Sequence, residues 1–133
     1  MRLAATAAAV LATLALAAPV SAQRFEGYVA APPAAANAMW SDILAVMPPD
    51  TRPDVFWRTG RDADGRRITS TFFGAPVACG LNTCPTRVFV DDAMVHDEQL
   101  CSLKGEHVLD VTAHILRACD RTVRIDVPPA DAE

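Results

Sequence analysis

The run Val55-Phe56-Trp57-Arg58, the connection from Gly60 to Gly65, and the run Ile68-Thr69-Ser70-Thr71-Phe72-Phe73 together decide how this chain is read. β-Branched and aromatic residues fit a pleated, half-buried surface, while glycine and aspartate fit tight turns. The stretch therefore predicts a β-hairpin. Its connection contains Asp62-Ala63-Asp64-Gly65, which looks like half of a calcium loop. A complete loop of that kind ends on a bidentate glutamate between two helices, whereas Arg66-Arg67 follow here, so an ordinary turn is expected.

Upstream, Ala36, Met39, Trp40, Ile43, Leu44 and Met47 recur at helical spacing from Ala34 onward, with Asn37, Ser41 and Asp42 on the other side. Pro48-Pro49 ends the run, which reads as one amphipathic helix whose apolar stripe covers a sheet. Downstream, Gly74, Pro76, Gly80 and Pro85 break the chain before strand candidates at Thr86 to Val90 and Val95 to Cys101. Lys104-Gly105 marks a turn. Residues 106–119 fit a helix through Val108, Val111, Ile115, Leu116 and Cys119, or a meander through their β-branched content. Strands are preferred, with Asp110 to Ala113 turning the chain and a further strand at Thr122 to Val127. The expected fold class is α+β, one N-terminal helix packed on a small, mostly antiparallel β-sheet with two disulfides. That domain spans residues 34–129 and is followed by a tail at 130–133.

The four cysteines, Cys79, Cys84, Cys101 and Cys119, are separated by 4, 16 and 17 residues. An even count in a small domain reads first as two bridges, because so small a core gains much from cross-linking. Three connectivities are possible. Cys79 with Cys84 and Cys101 with Cys119 are preferred, contributing about 2 and about 3 kcal/mol by chain entropy. Zinc would want paired short spacings, and thioredoxin-type redox or haem attachment would want C-x-x-C; none of these strings occurs.

Such bridges require an oxidising compartment, and the chain begins accordingly. Met1-Arg2 precede an apolar, alanine-rich run to Ala18, then Pro19-Val20-Ser21-Ala22. A positive start, an apolar stretch and small residues at Val20 and Ala22 describe a secretory signal peptide over residues 1–22, cut before Gln23. The run is too short and too alanine-rich for a permanent membrane helix. Residues 23–33 then form a flexible leader or an edge segment, held extended by Pro32-Pro33. The style of the signal places the protein in the periplasm of a bacterium or outside the cell.

The chain carries 12 basic residues against 16 acidic ones, and removal of Arg2 makes it more acidic still. Nucleic acid rewards basic surfaces, so it is not the expected partner. No cofactor motif is present, and no phosphate-cradling glycine loop. His96 and His107, with nearby carboxylates, and His114 are candidates for acid–base work, yet none sits in a specific motif. The alternative is recognition: Gly80, Leu81, Asn82 and Thr83, held between Cys79 and Cys84, would form a rigid loop with little entropy left to lose on binding.

In size, export signal and cysteine content over residues 79–127 the chain is similar to the small exported bacterial lysozyme inhibitors, which are disulfide-clipped β-domains. Their Ser-Gly loop with a nearby tyrosine has no counterpart here, since Tyr28 lies in the leader, so the resemblance transfers no inhibitory residue. The expected function is a non-enzymatic binding or inhibitory module acting on a cell-envelope protein or polymer. The alternatives are a small envelope enzyme using His96 or His107, and a structural subunit docking through Trp40 or the leader.

Overall fold

The computed structural model describes residues 28–101 and 106–129. The expected signal peptide at 1–22, the first part of the expected leader, the turn expected at Lys104-Gly105 and the tail at 130–133 lie outside the described residues. Strand β1 (Val29–Ala30) leads into helix α1 (Pro33–Val46), which is followed by β2 (Asp54–Arg61), β3 (Arg67–Gly74), β4 (Thr83–Val90) and β5 (Ala93–Cys101). Three short strands complete the chain: β6 (His107–Asp110), β7 (Ile115–Ala118) and β8 (Arg121–Arg124). Strands β1 to β5 form one antiparallel sheet in chain order, and β6 to β8 form a second.

The central hairpin forms as its residues dictate. Asp62 N–H donates to the Arg66 carbonyl, Gly65 N–H donates to the Asp62 carbonyl, and Gly65 takes the left-handed conformation (φ 79°) that closes a type I turn with a bulge. The Asp62 carboxylate accepts the backbone N–H groups of Asp64 and Arg66, so this half-loop serves the turn itself. Within residues 106–119 the structure has strands, His107–Asp110 and Ile115–Ala118, and no helix. Asp110 turns the chain by accepting the N–H groups of Thr112 and Ala113, and β6 and β7 pair from His107↔Ala118 to Asp110↔Ile115.

An α+β fold with one helix and two disulfides is what the sequence predicts, but the sheet is divided in two and the larger part is covered on both faces. On one face Ile68, Phe72, Val88, Val90 and Leu100 pack against Leu109, Leu116, Ala118, Val123 and Ile125 of the small sheet. On the other, Trp40 of α1 packs with Val55, Phe73 and Ala75. Consequently Ile68 to Phe73 of β3 are all buried, Thr69, Ser70 and Thr71 included. Alternation alone would have put every second one of them in water.

Pro33 opens α1 at a position where the missing N–H costs nothing. Arg87 on β4 locks the helix down. Its Nη1 donates to the Met39 carbonyl and to Asp42 Oδ1, both at 2.8 Å, its Nη2 donates to Asp42 Oδ2 at 2.7 Å, and the guanidinium lies 4.4 Å from the Trp40 ring centre. That bidentate contact holds the Asp42 carboxyl at about 2, against a smaller opposing effect of burial.

The first part of the leader lies outside the described residues, but residues 28–33 belong to the domain. Val29 pairs with Trp57 and Ala30 with Phe56, so β1 is an edge strand, and Tyr28 is buried between the sheets beside Phe72. Among the described residues the Tyr28 and Ser70 hydroxyls form no hydrogen bond of good geometry and make only a weak contact with each other. Burial pushes the Tyr28 phenol up from 10.0 to about 12, with Ser70 and Arg58 pulling weakly the other way. A raised acid of this kind leaves stability intact below the unfolded value of 10 and removes it as pH climbs toward 12, by up to about 1.4 kcal/mol per pH unit. Tyr28→Phe is expected to change stability by no more than about 1 kcal/mol at neutral pH, since it deletes a hydroxyl with only that weak contact, and to flatten the alkaline decline. Urea unfolding at a series of pH values measures this, and an equally steep decline in the variant refutes it.

Candidate functional site

Both bridges pair as the sequence suggests: Cys79–Cys84, with Cα atoms 4.2 Å apart, and Cys101–Cys119, at 6.2 Å. The first closes the loop of Gly80, Leu81, Asn82 and Thr83. A turn precedes it, in which Ala78 and Cys79 both donate their N–H groups to the Ala75 carbonyl. Within the loop Gly80 N–H donates to the Thr83 carbonyl at 2.8 Å. A side chain at Gly80 would place Cβ 2.9 Å from Thr83 Oγ1, so a larger residue there would have to turn the Thr83 hydroxyl aside. From the neighbouring edge strand the Gln99 amide donates to the Ala78 carbonyl at 3.1 Å. The loop is therefore tied at its base, and Leu81 at its tip is 97% exposed. Thr83 begins β4 and turns partly inward, so the projecting surface is Gly80, Leu81 and Asn82. Val46 and Val77, 82% and 64% exposed, border a depression at the end of α1 that is also lined by Ala78, Pro85 and Gln99.

The histidines are placed differently from one another. His107 is buried between the sheets, its ring 4.7 Å from the Phe72 ring and tilted 34° to it, with Nε2 2.6 Å from the Cys101 carbonyl. A carbonyl only accepts, so Nε2 carries the hydrogen and Nδ1 is left buried without a partner among the described residues. Burial lowers the His107 pKa, with the Cys101 contact opposing. His96 Nε2 lies 3.8 Å from Glu98 Oε1, and that oxygen is 2.5 Å from Arg121 Nη2 at the start of β8. His114 Nε2 is 2.9 Å from the buried Asp62 Oδ2. Burial works against ionised Asp62, but the Arg66 N–H, His114 and the Asp64 N–H outweigh it and hold the carboxyl below its usual value. His114 therefore fastens the hairpin turn of the large sheet to the β6–β7 turn of the small one. The structure brings no hydroxyl or thiol nucleophile to either pair within hydrogen-bonding distance, among the described residues. No group of three or more metal-ligating side chains converges among them.

Trp40, a docking candidate in the sequence, has no exposed surface and belongs to the core. The sequence did not single out a cleft on the helix side of the large sheet. Ala35, Ala38 and Met39 of α1 form one wall, and Trp57, Thr69 and Phe89 form the sheet side. Arg67, Asp91 and Asp92 stand at its margin, around a volume of about 400 Å³. Its aromatic residues could be recognised one strand at a time, but their convergence depends on how far α1 extends over the sheet. Among the described residues no helix is long and apolar enough to cross a membrane. Comparison with protein-family models, with curated proteins and with solved structures finds no match to this chain.

Proposed function

We propose that this chain is an exported, non-enzymatic binding or inhibitory module that engages a protein or polymer of the bacterial cell envelope through its 79–84 loop. One observation carries this reading: an almost fully exposed leucine at the tip of a loop fixed by a disulfide, a backbone hydrogen bond and the Gln99 contact. A soluble domain gains nothing from presenting leucine to water in a rigid frame, whereas a partner that covers it gains apolar burial without an ordering cost. The signal-like start and the two bridges support export to an oxidising compartment such as the periplasm. Commitment of His107 and His114 to contacts that hold the two sheets together supports binding over catalysis.

The test uses the oxidised protein immobilised against two probes, solubilised envelope proteins and purified cell-wall sacculi. Burial of one leucine is worth roughly 1.5–3 kcal/mol, so Leu81→Asp is expected to lower affinity for the retained component at least tenfold. Thermal unfolding should stay unchanged, because the side chain touches solvent. Equal retention of wild type, Leu81→Asp and Asn82→Ala would reject the loop as the recognition element.

A further inference from the structure

Helix α1 covers only part of the large sheet. On the helix side β2, β3 and β4 present, in successive cross-strand rows, Val55 and Phe73, then Trp57, Thr71 and Arg87, then Thr59, Thr69 and Phe89, then Arg61, Arg67 and Asp91. Trp40 occupies the first two rows through its contacts with Phe73, Thr71 and Arg87. Among the described residues the later rows meet only Ala35, Ala38 and Met39 of α1, which leave a cleft beside buried Thr69. Trp57 and Phe89 stay only half-buried, and Met94, paired with Phe89, is 50% exposed. Two open aromatic rings beside small helix residues make a cleft whose volume falls in the range of small-molecule sites, roughly 300–1,000 Å³.

The margin narrows the ligand class. Arg67 Nη2 lies 2.5 Å from Asp92 Oδ1, and Arg66 Nε lies 3.5 Å from Asp91 Oδ2. Within these two pairs the charges cancel, and Arg61 of the same row is turned to the Gly65 carbonyl at 2.8 Å, so the margin favours neither an anion nor a cation strongly. Because Asp91, Asp92 and Arg67 are well exposed, carboxylate lone pairs and guanidinium N–H groups remain available side by side. Donors and acceptors together, without net charge, suit hydroxyl groups, each of which both donates and accepts. Aromatic faces carry negative charge density and attract the weakly positive C–H face of a saturated ring. A neutral ring with an apolar face and a hydroxylated rim meets both demands.

We propose that the cleft formed by Trp57, Thr69, Phe89 and the first half of α1 binds a neutral pyranose sugar, stacked on the aromatic rings and hydrogen-bonded by Arg67, Asp91 and Asp92. This site uses none of the residues of the 79–84 loop and stands or falls separately from it.

The experiment titrates the disulfide-bonded protein with cellobiose, maltose and di-N-acetylchitobiose. The chain has two tryptophans, and Trp40 is sealed from solvent, so a change in emission reports Trp57. Saturation-transfer NMR in parallel reads which sugar protons touch the protein. At least one disaccharide is expected to give a saturable emission change and saturation transfer to its ring C–H protons. Trp57→Ala and Phe89→Ala should each weaken that transfer at least tenfold. Ala38→Phe, at an exposed helix position, should fill the cleft and abolish binding while leaving the fold intact, which guards against a Trp57 variant that merely misfolds. Leu81→Asp should bind sugar like wild type. No saturable response to any of the three sugars, a response to hexanol or phenol alone, or sugar binding that survives Ala38→Phe would overturn the proposal.

Discussion

Trp40→Ala is expected to destabilise the protein by about 4 kcal/mol, within the range for deletion of a fully buried tryptophan. The side chain has no exposed surface, lies 5.2 Å ring to ring from Phe73, and supports the Arg87 guanidinium on its other contact surface. Its Nε1–H donates to Thr71 Oγ1 at 3.1 Å, and Thr71 in turn donates to the Phe56 carbonyl at 2.8 Å, so indole and hydroxyl are both satisfied. The backbone at Trp40 leaves helical geometry (φ −129°, ψ 18°), a local kink in α1 at the residue that reaches deepest into the core. Removing the ring leaves a cavity beneath the helix and takes the aromatic face from a buried cation. Urea unfolding followed by circular dichroism gives the value. A loss below about 1.5 kcal/mol would mean that α1 does not depend on this anchor. Trp40→Phe, which keeps most of the apolar volume, should lose less than half as much.

Replacing Cys101 and Cys119 by serine is expected to cost about 3 kcal/mol, against about 2 kcal/mol for Cys79 and Cys84, because the bridges span 18 and 5 residues and loop entropy grows with length. Position makes the difference larger in effect. Cys101 ends β5 of the large sheet, and Cys119 sits in the β7–β8 turn of the small one in a left-handed backbone conformation (φ 56°). The bond thus links the two sheets covalently. Three strands of four residues each form a marginal sheet without strong support from the layer beneath. Hydrogen exchange in the double variant should show β6 to β8 losing protection well before β3 and β4. Uniform loss across both sheets would show that they unfold as one unit irrespective of the bridge.

The sequence made some of this legible through local chemistry. The apolar spacing of Ala36 to Met47 between prolines marks α1, the Asp62–Gly65 turn marks the hairpin, and Asp110 marks the β6–β7 turn. What depends on distant partners was hidden. Thr69, Ser70 and Thr71 look like an exposed polar stretch until α1 and the small sheet cover opposite faces of β3. Arg87 looks like a surface cation until it is seen beneath Trp40, and Tyr28 looks like part of a loose leader until β1 pairs with β2. Asp62 and His114 stand far apart in the chain, yet meet at 2.9 Å. The loop at 79–84 was visible from cysteine spacing alone. The cleft was not, because strand alternation does not say where a helix stops covering a sheet.

Both sheets are simple meanders in which each strand pairs with its neighbour in the chain. The bridges follow the same rule, first thiol with second and third with fourth. In a chain synthesised amino end first, Cys79 and Cys84 are both present before Cys101 and Cys119 have been added. Pairing of consecutive thiols keeps both closed loops short, so each bridge forms by local chain closure rather than by a long-range encounter.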